Sequence, residues 1–266
     1  MKAGVHLLLQ KIGNSVLDLL EVIGAFSLFT AATIRYIFAR PFDFRNLMRQ
    51  MGEIGVKSIP VGVVSSFFVG MVMALQLGGP MEKIIQGISA FMGGGISLAM
   101  MRELAPVLTA VLLAGRVGSS IAAEVGTMKV TEQIDALTTL ATNPIHYLSV
   151  PRFLASVLSL PLITVMAIVV GIWGGAVISY ISLDIPLNMY FDSARQLLKV
   201  RDLISGVAKT FFFGAEIALI ACFTGFRAKG GAEGVGQATI QAVVFSFMMI
   251  IISDYFITYV FQLFGL

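Results

Sequence analysis

The chain has 266 residues, of which 57% are hydrophobic and only 12% are charged, and its mean hydropathy is +0.91. Soluble domains carry roughly 25% charged residues, so this chain lacks the polar side chains to cover its surface in water, and we predict an integral membrane protein. The net charge of +3 is small, its basic residues form no nucleic-acid-binding stripe, and the single Cys222 excludes an internal disulfide and a cysteine-based metal cluster.

Residues 1–57 precede the first long apolar segment and are predicted to form a cytoplasmic and interfacial region. The apolar run at residues 22–34 has about half the length that a transmembrane helix needs. Charged side chains flank this run, and Arg40-Pro41 is expected to end the helix. We therefore expect an amphipathic helix lying in the membrane interface. A sixth transmembrane span is the alternative.

Residues 58–266 are predicted to form the transmembrane domain. Five segments are long and apolar enough to cross a membrane, at about residues 58–81, 96–123, 153–182, 203–226 and 240–264. Gly78-Gly79-Pro80 is expected to end the first, and Pro161 lies within the third. A polar stretch with a short helix at 187–200 precedes the fourth, and the glycine-rich loop RAKGGAEGVGQAT precedes the fifth. The predicted fold class is an all-α membrane protein with an N-terminal interfacial helix, five transmembrane helices and a cytoplasmic helix.

The distribution of Lys and Arg between the loops predicts the orientation, because cytoplasmic loops are enriched in both. With a cytoplasmic N-terminus, four basic residues fall outside: Lys83, Arg195, Lys199 and Arg201. Eleven fall inside: Lys2, Lys11, Arg35, Arg40, Arg45, Arg49, Lys57, Lys129, Arg152, Arg227 and Lys229. We therefore predict that the N-terminus is cytoplasmic and the C-terminus is on the opposite side of the membrane.

The longest polar interruption between apolar runs is at residues 124–152, on the predicted cytoplasmic side. Within it, Ile134, Leu137 and Ala141 would share one face of a helix at about 131–142. Thr131 is the expected N-cap, and Asn143-Pro144 is expected to end the helix. This pattern predicts a short amphipathic helix that docks against a partner.

Several ionisable residues fall inside or near the ends of the predicted spans, where charges are costly and commonly functional. They are Arg102, Glu103, Arg116, Lys209, Glu216 and Asp254. Adjacent helical residues point about 100° apart, so Arg102 and Glu103 should have different partners. Lys209 and Glu216 are seven residues apart, too far to pair directly. Structural ion pairs are one interpretation, and for Glu103 we favour a side chain that faces a cavity.

Sequence motifs for catalysis are missing. There is no G-x-x-x-x-G-K-[ST], H-E-x-x-H or G-x-S-x-G motif, and the glycine-rich segment is better explained as a turn than as a phosphate cradle. We therefore expect that the chain is not an enzyme, that it binds no cofactor or metal, and that any ATP hydrolysis takes place on another chain.

Three segments resemble a known family: RELAPVLTAVLLAGRVGSSIAAEVGTMKVTEQIDALTTLATNPIHYLSVPRF, LPLITVMAIVVGIWGG and GGAEGVGQAT. They are similar to the MlaE/YrbE permeases, the membrane subunits of the ABC transporter that maintains lipid asymmetry together with MCE-domain proteins. The resemblance is strongest over residues 102–175, where E-x-G-x-M-x-V-T-E-Q-I-D-A-L is specific.

The resemblance implies a homodimer of permease domains in a bacterial-type inner membrane, with the C-terminus in the periplasm. It implies cytoplasmic ABC ATPase subunits that bind ATP and Mg²⁺, a periplasmic ring of MCE-domain subunits, and room for a small STAS-type accessory subunit. Phospholipid would be the substrate, held between the two permeases, and no nucleic acid is expected.

Candidate site residues follow from this resemblance and from position in the chain. Arg102 and Glu103 match the family's R-E and are candidates for substrate binding, with Leu75, Gln76 and Tyr255 added from position. The coupling helix that would enter the ATPase carries Thr131, Glu132, Gln133, Asp135 and Leu137. An ion-coupled secondary transporter using Glu103, Glu216 and Asp254 is the alternative, although the chain lacks the internal repeat that such transporters show. A membrane-embedded lipid enzyme is a third hypothesis, for which no catalytic constellation appears.

Overall fold

The computed structural model describes residues 2–40, 43–84 and 91–264, and all regular secondary structure within these ranges is helical. The helices are α1 (Lys2–Ile37), α2 (Phe44–Ile54), α3 (Ile59–Ile84), α4 (Met92–Val130), α5 (Gln133–Thr139), α6 (Ile145–Leu183), α7 (Leu187–Leu197), α8 (Val200–Phe226) and α9 (Gly231–Leu263). Six stretches in the described part are long and apolar enough to cross a membrane. The predicted all-α membrane fold is confirmed.

The bundle has two ends that carry different loops. At one end, α5 follows α4, and the link between α8 and α9 lies nearby, because a Cβ on Gly126 would be 3.3 Å from the Cβ of Ala228. At the other end, α7 packs on the start of α4, where the backbone N–H of Gly94 donates to the Ser193 hydroxyl at 2.8 Å. These are called the α5 end and the α7 end. Charge counting predicts that the α5 end is cytoplasmic.

Helix α1 contacts the rest of the chain only near the α5 end, among the contacts that the structure describes. Phe26 packs edge-on against Phe223 in the last turn of α8, at 5.3 Å between ring centroids. Ten residues later, Tyr36 accepts a hydrogen bond from the Asn143 amide just before α6. Ten helical residues span about 15 Å, so this part of α1 runs across the end of the bundle, which favours the interfacial placement. However, residues 16–37 meet the length and hydropathy criteria for a span, so the length argument against a sixth span does not hold.

One predicted helix break is wrong, and one predicted loop is shorter than expected. Helix α3 continues through Gly78-Gly79-Pro80 to Ile84, and a Cβ at Gly78 would collide with the Leu183 side chain. Helix α9 begins at Gly231, inside the predicted glycine-rich loop. The turn between α8 and α9 is confined to residues 227–231, where Gly230 and Gly231 have φ of 86° and 69°. Gly234, in the first turn of α9, leaves room for the Lys229 carbonyl.

Small residues at four-residue spacing in α4 and α6 pack within the chain. Ala114, Gly118 and Ala122 are buried between α4 and its neighbours. A Cβ on Gly70 of α3 would collide with the carbonyl oxygen of Gly171 in α6. Such contacts bring helix backbones close together, which is how helices associate where lipid removes the hydrophobic driving force.

Candidate functional site

Arg102 and Glu103 lie in a wider, π-helical turn of α4 at Met100–Leu104. Turns of this kind occur as single interruptions of α-helices and are frequent at functional sites. The two side chains have different partners, which confirms the prediction made from their adjacency: Arg102 pairs with Asp202 and Glu103 pairs with Lys209.

Lys209 is the centre of a charged cluster that joins three transmembrane helices. Its Nζ lies 2.8 Å from both carboxylate oxygens of Glu103 in α4 and 3.0 Å from Oδ1 of Asp254 in α9. The side chain of Lys209 is only 1% exposed, whereas that of Glu103 is 41% exposed. One ammonium group therefore pairs with two carboxylates, and the acidic side of the cluster faces outward from the chain.

Two further hydrogen bonds hold the cluster in place. Nζ of Lys209 also donates to the Arg102 carbonyl at 3.3 Å, so the lysine fixes both the backbone of the π-helical turn and its acidic side chain. The hydroxyl of Thr258, one turn after Asp254, donates to Glu103 at 3.3 Å. Each donor of a buried ammonium needs a partner, and Lys209 finds all of its partners on α4 and α9.

Arg102 is joined to the start of α8 through Asp202. Nε of Arg102 donates to Oδ1 of Asp202 at 2.7 Å, and the other carboxylate oxygen accepts the backbone N–H of Lys199 at 2.8 Å. Asp202 thus caps the first turn of α8, where a carboxylate also suits the helix dipole. The two ion pairs connect the π-helical turn to α8 at Asp202 and, about two helical turns further along, at Lys209.

The structure brings together only some of the residues proposed for substrate binding. Tyr255 follows Asp254, and its exposed ring packs edge-on against Phe256. Leu75 and Gln76 are exposed on α3, and no hydrogen bond or ion pair in the described part of the chain links either to the charged cluster. Their role in binding stays a prediction.

Four residues of this site were not predicted to contact Arg102 or Glu103. Lys209 and Asp254 stand out in sequence as charges within spans, but their contact depends on how three helices pack. Asp202 could have been recognised as a capping carboxylate ahead of an apolar span. Thr258 carries no sequence signal. Glu216 accepts a hydrogen bond from Ser253 at 3.0 Å rather than pairing with Lys209, as its spacing predicted.

The coupling segment differs from its prediction at both ends. Thr131 is not the N-cap, because its hydroxyl donates to the Thr127 carbonyl and ends α4. Glu132 occupies the cap position with a left-handed φ of 62°, and α5 ends at Thr139, before Asn143-Pro144. Asn143 instead caps the start of α6, since its side-chain oxygen accepts from the N–H groups of Ile145 and His146.

The apolar face of α5 packs against its own chain. Ile134 is buried and Leu137 is half-buried against the core that includes α4, α6 and α8. Glu132, Gln133 and Asp135 are exposed, and Leu140 beyond the helix is 75% exposed. The left-handed turn at Glu132 reorients the chain so that the surface available to a partner is polar with one apolar side chain.

Ion pairs and hydrogen bonds anchor the segment to the bundle. Lys129 at the end of α4 pairs with Asp135 at 3.1 Å. Glu124 of α4 pairs with the buried Arg152 of α6 at 2.8 Å. Any displacement of α5 would therefore move the adjoining ends of both α4 and α6.

The sequence matches known proteins over most of its length. The family model described as Permease MlaE matches residues 47–260. The chain is 40% identical to the probable ABC transporter permease protein of Rickettsia bellii, over 95% of this chain and 96% of that protein. It is 42% identical to a probable ABC transporter permease protein of Synechocystis, over 90% of each. It is also 42% identical to Protein TRIGALACTOSYLDIACYLGLYCEROL 1, chloroplastic, of Arabidopsis thaliana, over 80% of this chain and 60% of that protein. The chain therefore belongs to the MlaE family of ABC transporter permeases.

Proposed function

We propose that two copies of this chain move phospholipid between the bacterial inner membrane and a periplasmic ring of MCE-domain subunits, driven by separate ATPase subunits. The observation that carries the proposal is Glu103, a carboxylate that is 41% exposed within a transmembrane helix. An ionised side chain that faces hydrocarbon is costly, so such residues usually line a cavity or an interface. A second permease covering this face would enclose that cavity.

Helix α9 supplies the rest of the surface that a second copy would cover. Only 17% of its most apolar window is buried, against 56% for α8. Large apolar side chains are exposed along it, including Tyr255, Phe256 and Tyr259. An apolar wall beside a few charged groups suits a molecule with acyl chains and a polar headgroup. The name of the Arabidopsis relative contains that of a glycolipid, which agrees with a lipid substrate.

The coupling to ATP would run along α4. This helix is continuous from the charged cluster to α5, and the 28 residues from Glu103 to Val130 span about 40 Å. An ATPase that moves the exposed side of α5 would move the end of α4 through the Lys129–Asp135 pair, and the start of α6 would follow through the Glu124–Arg152 pair. The two π-helical turns of α4 are the points where its hydrogen bonding is already altered.

Copurification tests the ATPase contact. The Leu140→Glu variant should lose the copurifying ATPase by at least tenfold, because it places a charge on the exposed apolar side chain next to α5. Val200→Glu is the matched control, since Val200 is 76% exposed and lies near the α7 end. An ATPase retained equally by both variants would contradict the proposed contact. Lipid transport driven by an ion gradient with this chain alone would favour the secondary-transporter alternative.

A further inference from the structure

A polar cleft of about 500 Å³ lies between α2 and α4, separate from the Glu103 cluster. Arg49, Gln50 and Glu53 of α2 line one side, and Arg116, Ser120 and Glu124 of α4 line the other. Arg116 belongs to the second π-helical turn of α4, at Ala114–Gly118. The cleft is near the α5 end, because the first turn of α2 contacts the start of α6 through the Asn46 amide and the Tyr147 carbonyl. The proposed orientation puts this end at the cytoplasmic leaflet.

The carboxylates of the cleft are already paired with other cations. Glu53 accepts the Lys57 ammonium at 2.6 Å, and Glu124 accepts the Arg152 guanidinium at 2.8 Å. Both of these cations lie outside the lining of the cleft. Glu53 also interacts with Arg49 and Arg116, but less strongly than with Lys57.

Neither arginine forms a close ion pair with a carboxylate among the described residues, although Glu53 interacts electrostatically with both. Arg116 donates from Nη1 to the hydroxyl of Ser58, a neutral group that holds the guanidinium in place. Arg49 makes no hydrogen bond or ion pair within the described part of the chain. With the carboxylates and their cations included, the cleft carries a net charge of +2. Two guanidiniums that face one cavity without a close ion pair favour an anion.

Gln50 gives independent evidence for a ligand. Its side chain is only 6% exposed and lines the cleft, yet no group in the described residues hydrogen-bonds to its amide. Because the side chain lines the cleft, a molecule bound there can supply the missing hydrogen bond. A ligand with oxygen acceptors would satisfy the Gln50 NH₂ group while it bound the guanidiniums.

We infer that this cleft binds the phosphate group of a phospholipid in the cytoplasmic leaflet. Phosphate oxygens match the planar donors of Arg49 and Arg116 and the amide of Gln50. Ile54, Val117 and Ile121 form an apolar part of the lining, which suits the glycerol and the first methylene groups of the lipid. The shared chemistry is a phosphate, so free inorganic phosphate is the other possible source. Only the assignment to the cytoplasmic leaflet rests on the proposed function.

Native mass spectrometry of the full chain, released from nanodiscs and delipidated in mild detergent, tests the inference. Phosphatidylglycerol is added back, and diacylglycerol with the same acyl chains serves as the ligand that lacks phosphate. The Arg49→Gln/Arg116→Gln variant should bind phosphatidylglycerol at least tenfold more weakly than the unchanged protein. Arg49→Gln alone, at an exposed position, should weaken binding by a smaller factor and guards against misfolding of the double variant. Arg45→Gln, on α2 outside the cleft, is the matched control and should bind normally.

Each outcome decides between the sources or overturns the inference. Loss of phosphatidylglycerol binding in the cleft variants, with diacylglycerol unaffected, supports a lipid phosphate site. Displacement of the lipid by millimolar inorganic phosphate, again only with the arginines present, supports the same site with a free anion as ligand. Equal lipid binding by all variants would overturn the inference. Loss of the copurifying ATPase without loss of lipid would show that the cleft is a protein contact and would also overturn the inference. Loss of lipid with the ATPase retained supports the inference and leaves the proposed ATPase contact at α5 unaffected.

Discussion

Lys209 shows how a single residue can determine both stability and the properties of the site. A buried ion pair contributes little net free energy relative to an apolar replacement, but removing one partner leaves the others charged without compensation. Lys209 is almost fully buried and contacts two carboxylates. Its loss would leave Glu103 and Asp254 facing each other across the same space, where like charges repel.

We expect Lys209→Met to lower the free energy of unfolding by about 3 kcal/mol, the cost typical of breaking a buried ion pair. The measurement is the thermal unfolding of the purified chain in detergent. A triple variant, Lys209→Met with Glu103→Gln and Asp254→Asn, removes the unpaired charges and should recover most of the lost stability. It should not recover lipid transport if the cluster binds or positions the substrate. Full transport by the triple variant would assign the cluster a structural role only.

At the level of elements, the sequence predicts the transmembrane helices but not how they end, and it gives no indication of α2. The apolar segments predict the long helices α3, α4, α6, α8 and α9, because length and hydropathy are local properties of the sequence. Gly78 and Gly231 were interpreted as breaks, since glycine usually marks turns in water-soluble proteins. Gly231 does belong to a turn, but the turn is shorter than predicted. At Gly78, the missing side chain instead leaves room for Leu183, and because that neighbour is distant in sequence, no local pattern reveals it. The same limit applies to Lys209, whose partners are 106 and 45 residues away.

The contact between α3 and α6 predicts a large effect from one methyl group. In Gly70→Ala, the new Cβ would collide with the Gly171 carbonyl, and overpacking against backbone costs about 1–3 kcal/mol or more. We expect a clear decrease in thermal stability. Gly95→Ala in α4 is the matched control, because a Cβ there has no atom within 4 Å. The control should be neutral or stabilised by up to about 1 kcal/mol, as expected from helix propensity. Equal stability of the two variants would contradict the close approach.

At the level of the whole molecule, three features lie along one path. The exposed polar side of α5 is at the α5 end, the phosphate-binding cleft lies between α2 and α4 near that end, and the charged cluster lies further along α4. Because α4 ends next to α5 and carries residues of both the cleft and the charged cluster, a displacement of α5 would be transmitted along a single helix. Sequence comparison identifies the family, whereas the relative positions of these features depend on the fold.

Lipid transfer in reconstituted vesicles tests the proposed function most directly. The chain is incorporated together with the ATPase that copurifies with it, and transfer of a fluorescent phospholipid to an external MCE-domain acceptor is followed over time. We expect transfer that requires both the ATPase and hydrolysable ATP, and that falls at least tenfold with Leu140→Glu but not with Val200→Glu. Transfer at the same rate by this chain alone, driven by an ion gradient without ATP, would contradict the account.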